Sequence, residues 1–478
     1  MITQVQDEPR PGSKPPNSPL VSRHPAFMGA LLISIAVVIF TISINWANLG
    51  DIFFAICASS VILILYLLWS ISRRDRSFSV LSSFATLFCA FHFGILAADM
   101  AGIPVHTMLN GVLWWYLQEE LVLGSYAAAL MFLLGLAMAS GLALWRAAPP
   151  RPSLQASNLR AAPVTILLGL AVTLWLIIVV GFLGITNYTQ YNALARDGAG
   201  LHQAALMVLY PAISALFFWS SLTSRRLIWP FMIYAVFGLI AFPVGLRGEV
   251  LFPLAMVVPT LAAQNRLKLS MPTVVFGAYA VLLISSFGRI FRADSNLSEA
   301  LSGASGLTGL AELGGSLRPV VEVQRWLTGG LDDLRWGETY YAPFERTLLK
   351  FFPFTDRTSA LQDDRLMNVV LVSRTSGNYG FSIAAESLIN FGMLGCVAAG
   401  LTAGGVLIAF GRRARLGTAP IIWSAVVFGL FIHIRQAFVT AYGSAMMFLV
   451  VSLVIFLLFP KYRPSSSITT PRNRHALP

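Results

Sequence analysis

Apolar residues run in blocks of roughly 17–25 along most of the chain, broken by short polar stretches, and membrane-spanning helices impose that rhythm. The blocks predict twelve spans, at 25–45, 52–71, 78–98, 121–145, 161–184, 203–222, 227–246, 250–263, 270–287, 381–410, 419–434 and 442–459. Between Gly288 and Gly380 the rhythm stops, and this stretch carries nine arginines, one lysine and eleven acidic residues. Inside it, RPVVEVQRWLTGG (318–330) and APFERTLLKFFPF (342–354) predict short amphipathic helices, each with an early Pro and a Gly or Pro stop. Phe344, Leu348, Phe351 and Phe352 are spaced either to lie on lipid, with Arg346 and Lys350 toward headgroups, or to pack within the loop.

Composition excludes a soluble domain: 56% of residues are apolar, 11% are charged, and the mean hydropathy is +0.72. The net charge of +12 would suit nucleic acid, but its distribution sets orientation instead. With both termini cytoplasmic, the inside segments (SRRDR at 72–76, 146–160, SRR at 224–226, NRLK at 265–268, GRRAR at 411–415 and both tails) hold 20 basic and 3 acidic residues. The outside segments hold 13 basic and 18 acidic, as the positive-inside rule requires, so no nucleic-acid partner is implied. The fold expected is an all-α polytopic membrane protein. A polar tail covers 1–24, helices one to nine cover 25–288, a large extracytoplasmic loop covers 289–380, helices ten to twelve cover 381–459, and a second tail covers 460–478. No cleavable signal opens the chain on this reading. Cys57, Cys89 and Cys396 fall inside apolar spans as small buried residues, with no disulfide or metal spacing. The loop order shows no internal repeat, and only SRR separates spans six and seven, which speaks against a carrier and for a membrane-embedded enzyme.

Span lengths place several charges near the outer face. Val250–Ala263 gives about 21 Å of helix against a hydrocarbon thickness near 30 Å, so either that helix is fed from below the outer surface or the turn LRGE (246–249) lies within the membrane profile. Arg247 and Glu249 are then either a structural ion pair or a functional one. The eleventh span ends in HIRQ, putting His433 and Arg435 at the outer interface. The tenth covers about 45 Å, so its first turns project outward and carry Glu386 and Asn390 on one face. Glu386 could take a proton from a sugar hydroxyl or pair with an arginine. Arg289 and Arg292, three apart where the ninth span exits, could grip phosphate oxygens in bidentate fashion or anchor the interface. The loop uses arginine nine times to lysine once, and guanidinium forks suit phosphate and carboxylate; Arg318 and Arg374 are among them. Asp332–Asp333 and Asp363–Asp364 are adjacent pairs without the separation of a metal site, so no metal is expected. Trp114, Trp115 and Tyr116 read as an interfacial aromatic belt; His106, Glu119 and Glu120 are outside. No GxSxG, Walker loop or histidine cluster occurs, so serine hydrolysis and nucleotide chemistry have no support.

The run GNYGFSIAAESLINFGMLG (377–395), a loop exit leading into a helix with an acid and an FGxxG turn, resembles the bacterial O-antigen and oligosaccharide repeat-unit polymerases of the Wzy type. GLRGEVLFPL (245–254), the span count and the late outside loop are similar to them too, and an R-x10-G pattern can be laid on Arg318 and Gly329. The resemblance implies a GT-C-like membrane glycosyltransferase of the bacterial cytoplasmic membrane, with no nucleotide, metal or other cofactor. The donor it implies is a glycan on undecaprenyl pyrophosphate, and the acceptor a sugar hydroxyl on another lipid-linked unit. The product would be O-antigen, capsule or exopolysaccharide. Membrane lipids and a chain-length regulator are the implied partners. Arg247, Arg289, Arg292, Arg318, Arg374 and Arg435 would bind pyrophosphate or glycan, and Glu386 or Glu249 would be the base. An O-antigen ligase is the nearest rival, although its family carries a histidine in the large loop and 289–380 has none here. A flippase or other transporter is the rival of a different class.

Overall fold

The structure is a computed structural model that describes residues 50–103, 119–145, 159–185, 200–242, 244–267, 305–349, 362–374, 380–416 and 419–460, together with 190, 279, 282, 283 and 286. Among these residues the first half runs α1 (Gly50–Arg74), α2 (Ser79–Met100), α3 (Glu119–Trp145), α4 (Ala161–Leu176, continuing as a π turn to Phe182), α5 (Gly200–Thr223), α6 (Ile228–Ala241) and α7 (Arg247–Ala263). The outside loop contributes α8 (Gly306–Gly314), α9 (Arg318–Thr328), α10 (Glu338–Leu349) and α11 (Met367–Arg374). The chain then completes the bundle with α12 (Ile383–Arg415), α13 (Ile421–His433) and α14 (Phe438–Leu458).

Six of these segments are long and apolar enough to cross a membrane (Phe53–Arg74, Arg76–Met100, Glu120–Leu144, Ala161–Phe182, Ile383–Arg415, Phe438–Leu458), and three shorter apolar helices accompany them. The protein is therefore a multi-pass, all-helical membrane protein. The predicted spans at 25–45 and, apart from four residues, 270–287 lie outside the described residues, as do Trp114, Trp115, Tyr116 and His106.

Burial sorts the helices into a centre and a rim. α2 and α3 are buried over most of their length, whereas α1, α4 and α14 show apolar ridges such as Ile62, Ile166, Leu170 and Leu457 to the surroundings. In hydrocarbon such ridges cost nothing, so close packing and not water exclusion holds the centre together. Small residues permit it. Gly135 and Ala139 on α3 face Gly400 and Gly404 on α12. A Cβ on Gly400 would overlap the Phe132 carbonyl oxygen, and one on Gly404 would come within 2.6 Å of Ala139 Cβ. At one end of the bundle the basic loop residues cap helices. Arg266 donates to the carbonyls of Ser221, Leu222 and Ser224, Arg412 donates to Ala143 O at 2.8 Å, and Arg415 pairs with Asp75 at 2.6 Å.

Two expectations need correction. The eighth span does not begin at Val250 after a turn: helix geometry starts at Arg247, so Arg247 and Glu249 sit in the first turn of α7. The tenth span is not one straight rod projecting outward. Gly392 has φ 67 and ψ −159, a conformation open essentially to glycine alone, and it breaks α12 into a short outer piece and a spanning piece. About 35 Å of helix remains from Met393 to Arg415, enough to cross. The backbone N–H groups of Arg335 and Trp336 donate to the carbonyls of Ile389 and Asn390, satisfying the end of the outer piece.

The loop also packs against the bundle helices. α8 packs on α2 so closely that a Cβ at Gly94 would meet the Leu310 carbonyl and one at Gly314 the Ile95 nitrogen. A Cβ at Gly306 would lie 2.7 Å from the Tyr279 ring, halfway along the stretch read as the ninth span. α7 runs antiparallel to α2, with Phe252 beside Phe91 (5.8 Å) and Ser83 Oγ donating to Ala255 O (2.8 Å). Arg247 is thus level with about Gly94, and α2 continues to Met100, so α8 lies roughly 9 Å below the end of that helix. The predicted loop helices at 318–330 and 342–354 match α9 and α10, shifted by a few residues. Arg318 opens α9 and Gly329 closes it as the C-cap.

Candidate functional site

Charged and aromatic residues gather at the opposite end of the bundle in three groups. The first is built on the first turn of α7. Glu249 is half-buried, and its backbone carbonyl accepts from the Tyr234 hydroxyl at 3.0 Å, which fixes where the turn sits. Arg435, in the turn between α13 and α14, lies over the Phe91 ring at 5.8 Å and is near enough to Glu249 for their charges to act on each other. The Tyr210 hydroxyl is buried near Ser214 and also feels the Glu249 charge. Two residues earlier in the same turn, Arg247 is 4% exposed and pairs with Glu312 of α8 at 2.8 Å. Glu312 was not singled out from sequence, although an acid in an apolar helical stretch is such a signal.

The second group holds the outer piece of α12. Glu386 is 1% exposed, and its Oε2 accepts from the Phe438 N–H at 2.6 Å. Phe438 is the first residue of α14, so the carboxylate stands at the positive end of a helix. The Thr339 hydroxyl donates to Glu386 and accepts from Asn390 Nδ2 at 2.6 Å. Asn390 Oδ1 accepts from Gly337 N at 2.9 Å, and Tyr340 and Ser387 share a hydrogen bond of 3.0 Å. His433 Nδ1 lies 2.8 Å from the Gln436 carbonyl, and its Nε2 is 3.9 Å from Glu386. The pairing of Glu386 and Asn390 on one face is as expected from their spacing, but that face points into the protein. Every described partner of Glu386 belongs to the fold.

The third group is the loop surface. Asp332, Asp333, Leu334, Arg335, Trp336, Glu338, Tyr341 and Asp364 line a cleft of about 460 Å³. A smaller one of about 280 Å³ lies among Arg325, Trp326, Leu331 and Arg374. Arg374 stacks over the buried Trp326 ring at 4.9 Å and reaches Asp332 at 2.9 Å, linking the two. Burial alone would raise the Asp332 carboxyl, but Arg335 and Arg374 outweigh it and hold it below the usual range. Burial likewise opposes, and Arg365 and Arg346 overcome, the shift that puts Asp363 at about 2. Each acidic pair therefore has one member committed to arginines of the loop. Arg346 is tied to Asp363 at 2.9 Å, while Phe344 packs on Phe438 and Tyr442 and Leu348 is exposed. Lys350, Phe351 and Phe352 lie outside the described residues.

The candidates read from sequence thus divide. Glu249 lies within electrostatic reach of Arg435; Arg247 is engaged by α8; Glu386 is engaged by α14; Arg374 faces the smaller cleft. Arg318 is buried 3.8 Å from Glu322, which Arg325 also meets at 2.6 Å. Arg289 and Arg292 lie outside the described residues. Tyr210 carried no sequence signal, because a distant helix brings it toward Glu249; the Trp336 cleft is built mostly from the short run 332–341, whose acids were weighed only as metal ligands.

Comparison with known proteins follows the same line. Protein CapE of Staphylococcus aureus is 22% identical over 232 residues, covering 48% of this chain, and the chain spans about half the length of that relative. No solved structure matches. The family described as O-antigen polysaccharide polymerase Wzy matches residues 30–463, nearly the whole chain. The protein is a member of the Wzy family of O-antigen polysaccharide polymerases, membrane proteins of polysaccharide biosynthesis.

Proposed function

We propose that the protein polymerises lipid-linked oligosaccharide repeat units on the outer face of the bacterial cytoplasmic membrane, with twelve spans and both termini inside. The donor is a glycan on undecaprenyl pyrophosphate, and the acceptor is a sugar hydroxyl of a second lipid-linked unit. The observation that carries this reading is half-buried Glu249 within electrostatic reach of Arg435 and of the buried Tyr210 hydroxyl, at the outer end of the bundle. Glu249 takes the proton from the acceptor hydroxyl, whose oxygen attacks the anomeric carbon. The bond from that carbon to the lipid pyrophosphate breaks, and the pyrophosphate leaves with the electron pair. Arg435 stabilises the charge it gains, with Arg289 and Arg292 as further grips where the ninth span exits. Glu386 serves as a positioning residue: by holding the start of α14 it sets the turn that presents Arg435. No step in this scheme calls for a metal or a nucleotide.

The test is a deletion strain complemented with Glu249→Gln or Arg435→Ala, with surface polysaccharide separated on a gel. Single capped repeat units are expected from the deletion, and from both variants at normal protein levels. Long unattached polymer from the deletion would mean a ligase, and lipid-linked units trapped inside would mean a flippase. Wild-type polymer from Glu249→Gln would remove that residue from the base role.

A further inference from the structure

The larger loop cleft has the wrong charge for a pyrophosphate. Asp332, Asp333, Glu338 and Asp364 line it against Arg335 as the one cation among its lining residues, so an anionic group entering it would be repelled. Its volume, about 460 Å³, falls within the range of small-ligand sites. Two aromatic faces open into it: Trp336 is 74% exposed and Tyr341 50%. An indole that hydrophobic burial would stabilise is instead held out at the surface, on a backbone anchored to α12 through Asn390 O. Arg335, by contrast, is buried to 9% side-chain exposure. Its terminal nitrogens are taken by Asp332 Oδ2 and Asp364 O, while its Nε has no hydrogen-bond partner. Aromatic faces next to carboxylates match a sugar ring, which offers an apolar C–H face and an edge of hydroxyl donors.

We propose that this cleft is a glycan subsite that takes a sugar ring without an acidic group from the incoming repeat unit. Trp336 stacks on the ring while Asp333 and Glu338 accept from its hydroxyls. The cleft rests on the outer piece of α12 through Gly337 N to Asn390 Oδ1, next to the Glu386 group. It would therefore hold the unit on the loop while its lipid end lies in the membrane. The proposal rests on the polymerase reading and adds which sugars the loop admits: a carboxylate-bearing ring at this position is rejected by the charge of the wall.

The experiment uses the full-length protein in detergent and, as probe, the repeat-unit oligosaccharide freed from its lipid pyrophosphate by mild acid treatment of deletion-strain extracts. Binding is measured by titration calorimetry. Trp336→Ala is expected to weaken it by about tenfold, or about 1.4 kcal/mol, whereas Trp336→Phe retains most of it. Asp333→Asn with Glu338→Gln is expected to weaken it as well, and inorganic pyrophosphate binding stays at the wild-type level in all three. These side chains are exposed, so the variants fold. Failure of the wild-type protein to bind the probe, or binding by Trp336→Ala within about twofold of wild type, overturns the proposal. The two readings fail separately. Normal polymer from the deletion strain defeats the polymerase reading. Single capped units from the deletion strain, together with cleft variants that bind and polymerise like wild type, defeat the cleft alone.

Discussion

Arg247→Ala separates a structural from a substrate-binding arginine. Arg247 and Glu312 are 4% and 8% exposed and 2.8 Å apart, and they join the first turn of α7 to a loop helix packed against α2. Removing the guanidinium leaves the Glu312 carboxylate buried without its partner. Breaking a buried pair in this way costs about 3–5 kcal/mol, whereas replacing both members by apolar groups of similar volume is often neutral or better. Arg247→Ala should therefore unfold well below wild type in detergent, and Arg247→Met with Glu312→Leu should recover most of the loss. The measurement is a double-mutant cycle from thermal or denaturant unfolding followed by tryptophan fluorescence. If both single variants cost under about 1 kcal/mol and the double equals their sum, the pair does not hold α8, and the argument fails. Polymer length then completes the answer. A stable double variant that polymerises normally confines Arg247 to structure; a stable one that makes single units returns it to the substrate.

Glu386→Gln keeps an oxygen that can accept from Phe438 N, so as a positioning residue it should retain polymer, while Glu386→Ala loses a helix-capping acceptor worth about 0.5–2 kcal/mol and shortens it; loss of polymer by a stably folded Gln variant would make Glu386 the base. Gly400→Val places its Cβ on the Phe132 carbonyl oxygen, a backbone atom that cannot yield, and is expected to destabilise the α3–α12 crossing by about 1–3 kcal/mol, read as a lower unfolding midpoint. Asp363, held at about 2 against an ordinary 3.8, stabilises the loop fully above the ordinary value, and that stability is lost as pH falls from there through 2. Asp363→Asn should flatten that acid limb in proteolysis of the loop between pH 5 and pH 2, and an unchanged limb would refute the assignment.

How much of this was legible beforehand depends on whether the information was periodic. Long apolar blocks declare spanning helices because lipid offers backbone groups no partner outside the helix, and the described helices fall where those blocks lie. The 377–395 run and the charged turn at 245–254 pointed to the family that the whole-chain match then showed. The partners were not legible. Glu386 and Glu249 look alike as acids near an outer helix end. Only the arrival of α14 over one and Arg435 beside the other distinguishes them.

The sequence by itself determined the class of the protein, its predicted orientation and its family, because hydropathy and charge bias act locally and add along the chain. Tertiary structure alone decided that the loop re-enters the bundle, that α12 breaks at Gly392, and which charges meet. Glycine permits a break or a close approach without requiring either. An arginine will pair with whatever carboxylate packing brings to it, and α8 brings Glu312 to Arg247 across 65 residues of chain.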